Sequence, residues 1–210
     1  MGIDAVVLLF GGSALPRSLS GLPLAYPDGI EAALAWARRV VVVGADADLA
    51  AVLTLLLRAE RLDVEIGYVP RRRTAATRAY RVPAGRRAAR RARHGSAQRV
   101  PLIRDETGSA IVGAAHWRPA GDARQLRGEA VVDDAVLFDG EVDEVRIEPT
   151  AAAPGLRARV SGNRRRRWLT GRAAQLGSTG VVVVRDGVAA PRPARRSTIY
   201  RNIEGWLLVR

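Results

Sequence analysis

Three kinds of residue cluster in this chain have the composition for chemistry. The first is Gly44-Ala45-Asp46-Ala47-Asp48, set directly behind the four valines Val40 to Val43. A glycine at the end of a strand lets backbone approach a phosphate, and an aspartate can hold a magnesium ion or a hydroxyl. Asp46 or Asp48 can equally cap a following helix. The second is Asp139-Gly140-Glu141, two carboxylates suited to general-base work, although Asp-Gly is also the strongest hairpin-turn signal. The third is arginine: Arg71-Arg72-Arg73, a run from Arg86 to Arg93, Arg164 to Arg167 beside Trp168, and Arg192 to Arg196.

All 34 basic side chains are arginine, and the net charge is +13. Arginine keeps its charge and grips phosphate bidentately, so nucleic acid, anionic lipid and phosphorylated ligands are the expected partners. An arginine- and alanine-rich, lysine-free composition also follows from GC-rich coding sequence. The absence of lysine excludes a Walker-type phosphate site and a Schiff base. With no cysteine there is no disulfide, thiol nucleophile or thiolate metal site, which is compatible with the cytoplasm. His94 and His116 have no neighbour at a metal-ligand spacing, and no serine sits in a nucleophile-elbow pattern. No apolar run is long enough to cross a bilayer.

The elements that must position these residues change character along the chain. Residues 4–10 and 40–43 read as strands, with helices predicted from about Ile30 to Arg38 and from Leu49 to Arg61, then a β-rich run over Val64 to Val69 stopped by Pro70. This β–loop–α–β–α–β order implies a parallel sheet with helices on its faces. A further helix is predicted over Arg86 to His94, where Ala88, Ala89 and Ala92 make a face small enough to pack closely on a sheet. Beyond about Arg99 come short β-rich runs separated by turns, among them 129–138, 142–147, 171–176 and 181–184, with turns expected at Asp139-Gly140 and Asp186-Gly187. The reading is an α/β N-terminal domain with a parallel sheet over residues 1–98, followed by an antiparallel β-sandwich-like C-terminal domain over 99–210.

The chain resembles the diacylglycerol kinase-like lipid kinases, of the same superfamily as the NAD kinases. Their pattern is strand–Gly-Gly-Asp-Gly-Thr–helix, then strand–Pro–Gly-Thr-Gly-Asn-Asp and a further proline. Here Gly44 and Asp46 keep two positions of the first motif, while Ala45, Ala47 and Asp48 replace Gly, Gly and Thr. Val64 to Pro70, Arg71 to Arg78 and Val82-Pro83 lie where the second motif would be, without its Gly-Thr-Gly-Asn-Asp. Asp139-Gly140-Glu141 matches an Asp-Gly-Glu of the family's β-rich domain.

The resemblance implies ATP-dependent phosphorylation of a lipid hydroxyl, with ATP and Mg2+ as cofactors if the protein is active. Gly44, Asp46, Arg71, Arg72 and Arg73 would then lie at the nucleotide, Asp46 at the metal, and Asp139 and Glu141 would be the base residues. The broken glycine pattern equally supports a catalytically inactive member that binds lipid or a phosphorylated ligand. An arginine-rich nucleic-acid-binding protein is the reading from another class. A cytoplasmic protein that can attach peripherally to an anionic membrane accords with the first two.

Overall fold

The computed structural model describes residues 5–162 and 167–210. The chain divides into two units, one of residues 1–100 with 204–210 and one of residues 101–203. The expected division at residue 98 differs mainly in the last seven residues. Trp206–Val209 is rich in large apolar side chains, and it finds its partners in the first sheet.

In the first unit β1 (Ala5–Leu9), β2 (Leu24–Ala25), β3 (Arg39–Val43), β4 (Glu65–Tyr68) and β5 (Ala97–Val100) alternate with α1 (Ile30–Trp36), α2 (Asp46–Arg58), α3 (Ala75–Ala79) and α4 (Gly85–His94). The terminal strand Trp206–Val209 completes a sheet of order β2-β1-β3-β4-terminal-β5, in which only β5 runs antiparallel to its neighbour. The expected parallel sheet is therefore present. Every residue of β3 is buried, as a continuous valine run requires when both faces are covered. On one face Val41 and Val43 join Val7, Val69 and the alanines 88, 89 and 92 of α4 in one cluster. In α2, Leu49, Val52, Leu53 and Leu56 recur at helical spacing and are fully buried.

The small face of α4 is a geometric necessity. A Cβ built on Gly67 in β4 would stand 2.6 Å from the Cβ of Ala92, so helix and strand touch backbone to backbone. Because β1 lies between β2 and β3, the chain reverses its direction of travel across the sheet there. The carboxyl ends of β1 and β3, with the turns Gly11-Gly12 and Gly44 to Asp48, form the switch point where ligands of open α/β sheets bind.

The second unit holds β6 (Ile103–Asp105), β7 (Ala110–Ile111), β8 (Ala115–Pro119), β9 (Leu126–Val132), β10 (Ala135–Val142), β11 (Val145–Pro149), β12 (Leu156–Val160), β13 (Leu169–Gly171), β14 (Ala173–Arg185), β15 (Val188–Ala189) and β16 (Ala194–Arg201). They form one eleven-stranded antiparallel sheet around a core that includes the fully buried Trp117, whose indole Nε1–H donates to Ser197 Oγ at 3.1 Å. The terminal strand of the first unit, in chain order, is β17 (Trp206–Val209).

Two expected turns are strands. The run 129–138 is broken at Asp133-Asp134, not at Asp139-Gly140: Val132 pairs with Ala135, and Gly140 pairs with Gly128 inside the ladder. Asp133 adopts a φ of 49° and its carboxylate accepts from the backbone N–H of Arg172 and Ala173, so its side chain fixes the reversal that Asp-Gly was expected to make. Likewise Gly177 and Gly180 do not separate two strands. They lie inside the thirteen-residue β14, whose first half pairs with β9 and whose second half pairs with β8. The Asp186-Gly187 turn is present, joining β14 to β15 with φ of 48° and 90°.

Acid is expected to weaken the second unit through two glutamates. Burial pushes the carboxyl of Glu148 up, but Arg146 at 2.7 Å and Arg157 at 2.6 Å more than reverse this and hold it below the ordinary 4.5. Burial likewise raises Glu144, and Arg118 and His116 more than offset it. A depressed folded-state pKa stabilises fully above the unfolded value, and that stability is lost as pH falls through the folded value. The unfolding temperature should thus drop as pH falls below about 4.5, and Glu148→Gln should flatten that dependence. An acid limb unchanged in the variant would remove Glu148 as a cause.

Candidate functional site

The Gly44 turn is closed by its own side chain. Asp48, in the first turn of α2, places Oδ2 2.7 Å from the backbone N–H of Ala45, the residue that precedes the helix. A Cβ on Gly44 would collide with that same oxygen. The glycine thus makes room for the carboxylate of Asp48, in the place where backbone would otherwise approach a phosphate. This is half of a capping box, since Ala45 has no side-chain acceptor to reciprocate.

Asp46 is committed to another element. Its Oδ1 accepts the Tyr68 hydroxyl at 2.7 Å, and its Oδ2 accepts the backbone N–H of Ala76 at 3.1 Å. Ala76 lies in the first turn of α3, which Thr74 and Thr77 cap reciprocally: each side-chain oxygen accepts the other's backbone N–H, at 3.2 and 2.8 Å. Asp46 therefore fastens α3 to the sheet. Among the described residues no group of three His, Asp or Glu side chains is placed to hold a metal. A magnesium nucleotide at this turn would find the Ala45 N–H already taken by the Asp48 carboxylate and Asp46 already engaged by Tyr68 and Ala76.

The three arginines after β4 are separated by the fold. Arg71 and Arg72 are exposed, and the loop is pinned by the Gly85 N–H donating to Pro70 O at 2.8 Å. Arg73 lines a groove of about 900 Å3 with Arg81, Arg87, Arg90, Arg91 and His94. No acidic residue lines it, and none of its five arginines forms an ion pair among the described residues. Arg90 and Arg91 come from the predicted basic helix. Arg81 had no sequence signal beyond following a helical turn and preceding Val82-Pro83.

Two other arginines of this region are structural. Arg93 donates to the carbonyls of Ser18 and Ser20 at 2.8 and 3.0 Å. Arg39, buried at the start of β3, pairs with Glu65 and donates to the carbonyls of Ala92, Arg93 and Gly95, closing the carboxyl end of α4.

Asp139 and Glu141 belong to the second unit, on β10, where both are exposed. Asp139 stands opposite Glu129 and Glu141 opposite Arg127. A shallow groove of about 440 Å3 there is floored by Gly128, Gly140 and Gly177 and flanked by Arg127, Glu129 and Asp139. Gly128 cannot be replaced without displacing the Gly177 carbonyl, so the floor is bare backbone by necessity. Arg164 to Arg166 of the predicted basic segment lie outside the described residues. Trp168 beside them is covered by Arg157 and Arg159, whose guanidinium carbons lie 4.4 and 4.7 Å from its ring centre.

With this architecture in place, solved structures supply the match. A diacylglycerol kinase from Bacillus anthracis str. Sterne superposes with a TM-score of 0.73 at 11% identity, covering 99% of this chain and 96% of that one. This chain has the diacylglycerol kinase and NAD kinase fold. An NAD kinase from Archaeoglobus fulgidus in complex with ATP gives a TM-score of 0.65 at 12% identity, over 98% of this chain and 92% of that one. Yeast NADH kinase complexed with NADH gives 0.61 at 8% identity, over 99% and 83%. No family model matches the chain, and no curated protein matches it in sequence. Within the kinase fold, then, the layout is kept while the turn that faces the switch point carries its own carboxylate. No helix among the described residues is long and apolar enough to cross a membrane.

Proposed function

We propose that this protein is a non-catalytic member of the lipid kinase-like fold, one that binds a phosphorylated ligand and does not transfer phosphate at the Gly44–Asp48 turn. The observation that carries this reading is the Asp48 carboxylate on the Ala45 N–H. Phosphoryl transfer depends on positioning and charge neutralisation, and a fixed anion at the helix start opposes both. Asp46 is held by Tyr68 and Ala76, so the reading gives it a structural part in place of metal binding. Asp139 and Glu141 stay solvent-facing polar residues of a strand in this reading.

The test is turnover. Full-length protein incubated with Mg-ATP and either diacylglycerol in mixed micelles or NAD should release no ADP above the rate without acceptor. ADP release that depends on acceptor and is abolished by Asp139→Asn would overturn the proposal and restore the kinase.

A further inference from the structure

The arginine groove has an electrostatic arrangement that folding alone does not account for. In α4, Arg87 and Arg91 are spaced four residues apart, so like charges are neighbours, and His94 follows Arg90 at the same spacing on that face. Arg86 and Arg87 stand in the first turn of α4, at the positive end of its dipole, and no acidic residue accompanies them. Arg73 and Arg81 add two further guanidinium groups from the chain before the helix. The geometry that fixes Arg81 is unusual in itself. It occupies the left-handed position that ends α3, with a φ of 56° and with the Val82 N–H donating to Thr77 O at 3.1 Å. Glycine is the ordinary residue there, because a side chain is strained in that conformation. Glu60 takes the same position after α2 with a φ of 55°, so at Arg81 the backbone tolerates a side chain, and that side chain adds a fifth guanidinium to the groove.

We infer that this groove is a binding site for a small ligand carrying at least two adjacent phosphates, a diphosphate group. The row from Arg87 to His94 spans eight residues, seven helical steps and about 10 Å of rise, so it offers two successive turns of donors where a single phosphate would occupy one. Arginine is the side chain suited to bidentate phosphate contact. Single-stranded nucleic acid is the less favoured occupant, because no Phe, Tyr or Trp lines the groove to stack successive bases. The volume, about 900 Å3, is that of a small-molecule site. The inference rests on the ligand-binding half of the proposed function and names its ligand class. The two fail separately, since turnover concerns the Gly44 turn and this site concerns α4.

Calorimetric titration of the full chain with inorganic diphosphate and with orthophosphate decides it. Diphosphate should bind one to one and at least about ten-fold more tightly than orthophosphate, as a second set of charge-assisted contacts requires. Arg87→Gln and Arg90→Gln, both at exposed positions, should each weaken diphosphate binding by about ten-fold. Arg81→Gly should weaken it too, without lowering the unfolding temperature. Vesicles of phosphatidylcholine with phosphatidic acid distinguish the source. Binding to them that free diphosphate displaces assigns the site to a lipid headgroup, whereas diphosphate binding without vesicle binding assigns it to a soluble ligand. Equal affinity for diphosphate and orthophosphate, or diphosphate affinity unchanged in Arg87→Gln and Arg90→Gln, would overturn the inference. DNA retention lost in Arg87→Gln but undiminished by diphosphate would overturn it in favour of nucleic acid.

Discussion

Arg39→Met should destabilise the first unit by about 3–5 kcal/mol, the usual cost of removing one partner of a buried ion pair. Arg39 is 3% exposed, its Nε lies 2.7 Å from Glu65 Oε2, and its remaining donors reach Ala92 O at 3.3 Å, Arg93 O at 2.9 Å and Gly95 O at 3.0 Å. The last carbonyls of a helix have no partner within it, and α4 ends at a Gly95 whose φ of −72° is not the left-handed one that normally supplies them. Arg39 does this from a strand 53 to 56 residues earlier in the chain. Its loss leaves Glu65 without its counter-charge and those carbonyls unsatisfied together. Arg39→Lys should recover only part of the loss, because an ammonium keeps the charge but not the planar fork that spans carboxylate and carbonyls. Amide exchange across Gly85–His94 would report it, with protection collapsing in Arg39→Met and partly returning in Arg39→Lys. Equal protection in both variants and the wild type would show that α4 is held by its alanine face alone.

Asp105→Ala should have an effect of similar size in the second unit, again about 3–5 kcal/mol. Asp105 is fully buried. Its Oδ1 accepts the Thr107 N–H at 3.0 Å, the Thr107 hydroxyl at 2.7 Å and the Ser109 N–H at 3.0 Å, while Oδ2 pairs with Arg185. One carboxylate thus closes the turn between β6 and β7 and neutralises the end of β14. Truncation removes at once the acceptor of two part-buried backbone donors and the counter-charge of a half-buried guanidinium. Denaturant unfolding should show the loss in full, and a change below about 1 kcal/mol, the net worth of one ordinary hydrogen bond, would mean that solvent replaces the carboxylate.

How much of this was legible beforehand depended on the range of the interactions. Val40 to Val43 announced a strand buried on both faces, and the spacing of Leu49, Val52, Leu53 and Leu56 announced its helix, because both signals are local. Ala88, Ala89 and Ala92 were also readable as a close-packing face. The strand that receives them, with Gly67 opposite Ala92, was not. Asp139-Gly140 carried a true local preference for a turn that the ladder overrode, since Asp133 found backbone donors on Arg172 and Ala173 about forty positions away. Gly177 and Gly180 failed for a related reason: the ladders to β9, β8 and β16 on either side carry β14 through them, with a register shift between Gly177 and Val181.

The candidate site divides in the same way. That Gly44 to Asp48 is a turn at a strand's carboxyl end was evident, as was helix capping as an alternative to ligand binding. Asp48 does cap α2, a contact across three residues. Asp46 does not; it serves α3, thirty residues ahead. Nothing in the sequence marked Arg39, whose partners lie 26 to 56 positions away. The groove arginines were visible as a basic helix but not as a site, because Arg73 and Arg81 reach it from separate turns.

The central claim is that the turn after β3 is occupied by the Asp48 carboxylate and so presents no phosphate site. The most direct measurement is an amide-resolved NMR titration of the full chain with Mg-ATP. The Ala45 N–H, already hydrogen-bonded to Asp48, should hold its resonance throughout, while amides of α4 around Arg87 and Arg90 shift as phosphates enter the groove. A saturable shift of the Ala45 resonance at micromolar Mg-ATP, with α4 unmoved, would contradict the account and return the nucleotide to the turn.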